Sequence, residues 1–198
     1  MSVSRVSNAT AATAVAGLHM VTPTSVTVGS GTGSVSGQGL VTFTGASSVS
    51  LNGCFTSLYE NYRVVTNSIG SGTGLRIRLR SSGSDNASNN CSFVRQYQDT
   101  AGTIGFTNAT GNTVTYMEIG GVNATPGMIE ITFSKPNILD YGKGVSSIGF
   151  QHTGSAGFRE TASGFCSSNI QYDGFSLLPG SGTITGTLRV YGYNNGSA

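Results

Sequence analysis

The sequence has no tryptophan, only three cysteines and two histidines, and few charges. Charged residues make up 9% of its 198 positions, against roughly 25% in ordinary globular proteins. The formal net charge is +2, too small for a nucleic-acid binder held by phosphate contacts. No apolar run approaches the length of about 18 residues that a membrane-spanning helix needs, so no membrane insertion is expected. Cys54, Cys91 and Cys166 form an odd, widely spaced set with no CxxC pair. They define neither a disulfide framework nor a zinc site. Buried free thiols are the expectation, with one disulfide left open. No metal or cofactor is expected.

What the chain does contain is glycine, at 30 positions, with much serine, threonine and asparagine. Its surface polarity must come from hydroxyls and amides. Hydrophobic residues make up 37% and are evenly spread, and mean hydropathy is +0.01, which is too apolar for simple disorder. The first twenty residues carry one arginine and a run of small residues with no apolar stretch, unlike a secretory signal. The Asn-X-Ser/Thr sequons at Asn8, Asn86, Asn90, Asn108, Asn123 and Asn195 are then what this composition contains by chance.

The clearest structural signal is Leu75-Arg76-Ile77-Arg78-Leu79-Arg80. Strict alternation gives a strand with Leu75, Ile77 and Leu79 on a dry face and the three arginines on a wet one. Tyr62–Thr66 before it is rich in β-branched and aromatic residues. Further strands are expected at 24–28, 40–44, 49–51, 92–98, 114–118, 128–134, 146–151, 168–172, 175–178 and 183–193, divided by glycine, serine and asparagine turns. Only 54–60 has helical character, about one turn. Short strands at regular spacing point to an all-β, antiparallel sandwich and not to βαβ units. Residues 1–38 carry few large apolar side chains and read as an extended N-terminal arm; residues 39–198 read as the sandwich domain.

Catalytic chemistry is hard to place. His19 and His152 stand far apart in sequence, and serine and threonine are too common for proximity to carry information. The glycine tract 29–39 lacks the Gly-Lys-Ser/Thr of a phosphate loop. Acids are scattered, although a fold could bring Asp140 near Glu160 or Asp173. The expectation is that this is not an enzyme.

Residues 49–64, VSLNGCFTSLYENYRV, and 75–86, LRIRLRSSGSDN, resemble a pattern common in bacteriophage virion proteins. There a strand leads into an F-(S/T)-S-x-Y-(D/E)-N-Y segment and is followed by an L-x-(L/I)-R-L-R strand with a Gly-Ser-Asp-Asn turn. The terminal strand 184–193 with its Tyr-Gly close, and the opening arm running to Gly17-Leu18, are similar to minor tail proteins of that kind. The resemblance implies a jelly-roll-like β-sandwich, a homotrimer, and a place on the virion as a tail-fibre, minor tail or head-decoration component. It carries no catalytic residues. Attachment to other virion proteins, of the tail or the major capsid, would run through residues 1–38. Phe55, Tyr59 and Tyr62 would cap the sandwich edge. Arg76, Arg78 and Arg80 either pair with acids such as Glu118, Glu130 and Asp99 on a solvated face or enter a subunit interface, where arginine is favoured. A host cell-surface glycan is a further candidate partner. Tyr97, Tyr141, Tyr172 and Tyr193 are the platforms a sugar would stack on, and repeated copies would supply avidity.

Overall fold

The computed structural model describes residues 16–71, 74–121, 125, 127–152 and 157–194. These build sixteen strands: β1 (Gly17–Val21), β2 (Ser25–Val28), β3 (Thr32–Val35), β4 (Val41–Ala46), β5 (Val49–Asn52), β6 (Asn61–Gly70), β7 (Leu75–Ser81), β8 (Ser84–Asp85), β9 (Cys91–Asp99), β10 (Ile104–Val114), β11 (Met117–Gly120), β12 (Gly127–Ser134), β13 (Lys143–His152), β14 (Gly157–Cys166), β15 (Gly174–Pro179) and β16 (Ile184–Asn194). Among the described residues there is no helix; residues 54–60, where one turn is expected from sequence, are irregular.

Two antiparallel sheets face each other. The larger has the order β10-β9-β14-β13-β12-β6-β16-β4-β3, with β1 continuing the β4 side of β16. The smaller runs β11-β7-β15-β5-β2, with β8 beside β7. The alternation read from sequence decides which side chains meet between them. Leu75, Ile77 and Leu79 of β7 are buried, as are Ile129, Ile131 and Phe133 of β12. Where the chain after β5 folds in between the sheets, Phe55 lies 4.8 Å from Tyr62, 5.0 Å from Phe133 and 5.7 Å from Phe175, ring centroid to ring centroid. Phe55 and Tyr62 are therefore core residues and do not cap an edge. Their rings offer more apolar area than any aliphatic side chain, and the gap between two sheets is where it is removed from water.

Most expected strands are present within a residue or two. The segment 114–118 is instead a break, where β10 leaves the large sheet and β11 joins the small one. Residues 168–172 are not a strand; there Ser168 and Tyr172 share a hydrogen bond of 2.7 Å between their hydroxyl oxygens, and Tyr172 is buried. β3, β10 and β14 are not evident from periodicity, because glycine, serine, threonine and asparagine interrupt them, and β1 is only five residues long. In β10 a neighbour's ring replaces the missing side chain. A Cβ at Gly105 would lie 2.1 Å from the Tyr97 ring, so Tyr97 lies flat across that glycine. Tyr59 covers Gly192 of β16 in the same way, at 2.1 Å.

Of the segment expected to form an arm, residues 1–15 lie outside the described residues. The rest joins the sandwich: β1 pairs with β16, β2 with β5 and β3 with β4.

Candidate interaction surfaces

The arginine row on β7 resolves into three environments. Arg80 is buried, lying across the outside of the small sheet. Its Nε donates to Asn52 Oδ1 at 3.0 Å, and its Nη1 donates to Ser176 Oγ at 3.0 Å and Ser50 Oγ at 3.2 Å. It also binds Asp85 and the Gly83 carbonyl. Ser50 and Ser176 share a further hydrogen bond of 2.8 Å. The small serines leave the hollow that the guanidinium fills, and β8 folds back so that Asp85 stands opposite Arg80. Each of the three guanidinium nitrogens of Arg80 thus has a partner within the chain. Arg78 is half exposed, with Asp85 at 4.0 Å. Arg76 lies 3.8 Å from Glu118 and stacks over the Tyr116 ring at 4.2 Å. Of the acids expected from sequence, Glu118 is a partner; Glu130 pairs with Arg63 on the other sheet, and Asp99 accepts the Thr103 N–H at 2.7 Å in a turn. Asp85 is not among those acids, although its place in the Ser-Ser-Gly-Ser-Asp turn after β7 signals it.

A second charged group lies between the sheets. Arg95 on β9 donates to Glu118 Oε1 at 2.6 Å and to Glu160 Oε1 at 2.8 Å, and all three side chains are nearly buried. The other Glu160 oxygen accepts the Gly121 N–H at 2.6 Å. Burial pushes the Arg95 pKa down, but Glu160 and Glu118 more than offset this and raise it. One guanidinium therefore bridges two carboxylates, on β11 and β14, with Arg76 as a second cation beside Glu118, pinning the edge of the small sheet to the large one. The sequence carries no signal for it, since the three residues come from three separated strands. Asp140 does not join Glu160; it sits in the β12–β13 loop and accepts the Tyr141 N–H at 2.7 Å. In that loop region Lys143 is buried and donates to the Ile138 and Asp140 carbonyls. Burial lowers its pKa, partly countered by Asp140. Among the described residues no cluster of histidine, cysteine and acids is arranged to hold a metal.

The four tyrosines separate likewise. Tyr172 is in the core and offers no platform. Tyr97 is half buried over Gly105 and 5.4 Å from the Arg95 guanidinium. Tyr193 is half buried, near Arg63. Tyr141 is 67% exposed. It stands with Leu58, 74% exposed, and Leu139, 63% exposed, on loops at one end of the sandwich. Those loops are tied together: Lys135 N–H donates to the Glu60 carbonyl at 3.0 Å, and Asn137 Nδ2 donates to the Tyr172 carbonyl at 2.9 Å. Tyr62 fixes the Phe55–Tyr62 corner from below, its hydroxyl donating to the Thr56 carbonyl at 2.7 Å and accepting the Thr56 N–H at 2.6 Å. The chain enters at this same end. Gly17 pairs with Asn194, two residues beyond the Gly192 that faces Tyr62. His19 Nδ1 lies 3.5 Å from Tyr59 Oη there.

Cys91 and Cys166 form a disulfide, and Cys54 is buried and free. Burial pushes the Cys54 thiol pKa far up, so it is held as the unreactive thiol.

No protein-family model matches this sequence, and no curated protein matches it.

Proposed function

We propose that this chain is a structural protein of a bacteriophage virion. It is a sandwich displayed on the tail, in the manner of minor tail or fibre-like proteins, and its role is assembly and host contact without turnover of a substrate. The observation that carries this reading is the place of the shared motif. Residues 49–64 and 75–86 supply β5, the Phe55–Tyr62 corner, the start of β6 and all of β7 and β8. The corner stands at the end where the chain enters and where Leu58, Leu139 and Tyr141 are exposed. An apolar end beside the incoming segment suits docking onto a larger body. Residues 1–15 would complete that attachment. Few charges and a dense ladder of backbone hydrogen bonds suit a module that must persist outside a cell, and the Cys91–Cys166 bond is of the kind retained in oxidising surroundings.

The test is the protein content of purified particles. The chain should be found in them at a few copies per particle. Hundreds of copies would favour the related reading, a head-decoration protein that stabilises the capsid. A chain that stays in the host lysate and is missing from particles would overturn both. A free glycan-binding module is the competing class, for which the exposed Tyr141 is the best placed ring. Binding of the isolated chain to a glycan array at low valency would favour it.

A further inference from the structure

Strand β10 ends the large sheet, and among the described residues nothing pairs with its outer edge. It is eleven residues long, Ile104–Val114, with neither a charge nor a proline. Edge strands of lone domains are normally guarded by lysine, proline or shortness, because unpaired N–H and C=O groups template another strand. This edge has a bulge between Ala109 and Val114 and no other guard. Its outward face shows Ile104 at 51% and Phe106 at 66% exposure. Beside the bulge the same face has an apolar cleft of about 450 Å³ lined by Phe93, Val94, Ala109, Thr110 and Phe165. An apolar cavity of about 150 Å³ already admits a benzene ring, so a phenylalanine side chain fits.

We infer that β10 pairs with β10 of a second copy of this chain, antiparallel about a two-fold axis, each Phe106 entering the other copy's cleft. The knob and the hole lie on one surface, which makes that surface self-complementary, as a two-fold interface requires. Antiparallel pairing centred on Asn108 sets Phe106 of each copy opposite Thr110 of the other, at the mouth of the cleft. Val94 and Phe165 beside the cleft and Phe150 further across the face are 49%, 47% and 53% exposed. At about 200 Å² per ring, the three phenylalanines alone leave roughly 300 Å² in water. Backbone pairing and the neighbouring side chains would bring this towards the roughly 800 Å² per partner of a stable interface. This two-fold contact is distinct from the three-fold state the resemblance implies, and does not depend on the virion reading.

The test is the molar mass of the purified full chain by light scattering at micromolar concentration. A dimer is expected. Phe106→Asp should give a monomer with an unchanged circular-dichroism spectrum. Asn108→Pro, at a position whose N–H points to the open edge because the odd-numbered residues of β10 bond to β9, leaves the phenylalanine in place and should weaken the dimer at least tenfold. A monomeric parent chain, or a parent oligomer that both folded variants retain, would overturn the inference. If Phe106→Asp does not fold, Ile104→Lys supplies the same reading at a site that is already 51% exposed.

Discussion

Cys166 stands directly opposite Cys91 in the β9–β14 ladder, and the bond between them joins residues 75 apart in sequence. The closed stretch includes β10, β12 and β13 of the large sheet and β11 of the small one, so a single bond restricts both layers in the unfolded chain. Closing a loop of this length stabilises by about 4 kcal/mol in the chain-entropy picture. Replacing both cysteines by serine should lower the melting temperature by roughly 10 °C, measured by calorimetry. Thiol titration in denaturant should find one reactive group without reductant and three with it. Three without reductant would show that the bond does not form.

Arg80 and Arg78 share a strand and a partner but differ in burial. Arg80→Ala strips Asp85, Ser50 and Ser176 of a buried donor and should cost about 3–5 kcal/mol. Arg78→Ala loses one half-exposed ion pair and should cost less than about 1 kcal/mol. Denaturant unfolding of the two variants checks the contrast. Equal losses would mean that Arg80 does not act as the clamp its geometry describes.

Alkaline stability should depend on Tyr62 and Tyr172. Burial raises both pKa values above 10.0, the ordinary value. Each group then holds its proton in the folded chain after the unfolded chain has released it. Their contribution is complete below pH 10 and falls as pH rises through the folded values. Stability against urea should therefore decline above pH 10, and Tyr62→Phe with Tyr172→Phe should flatten the decline. Tyr62→Phe also removes the bonds to Thr56, costing about 1–2 kcal/mol at neutral pH.

Truncation separates attachment from folding. Removing residues 1–15 takes no described strand away and should leave the melting temperature within about 2 °C while preventing incorporation into particles. Removing residues 1–38 deletes β1, β2 and β3 and uncovers edges of β16, β5 and β4. It should lower the melting temperature by at least about 10 °C. A shorter truncation that still incorporates would refute attachment through this segment.

Strand alternation determined the all-β class, the dry face of Leu75, Ile77 and Leu79 and the positions of most strands, because a side-chain period of two is a local property of the chain. The turn after β7 likewise brings Asp85 back to Arg80 within five residues. The Cys91–Cys166 bond, the Arg95 bridge from Glu118 to Glu160, and the burial of Tyr172 beside an exposed Tyr141 were decided by tertiary structure. Each depends on which distant strands become neighbours, and the glycine-rich β10 and β14 that set those neighbours have no periodicity of their own. They become strands because Tyr97 covers Gly105 and because β9 and β13 offer ladders to pair with. Those conditions exist only once the sheets have formed.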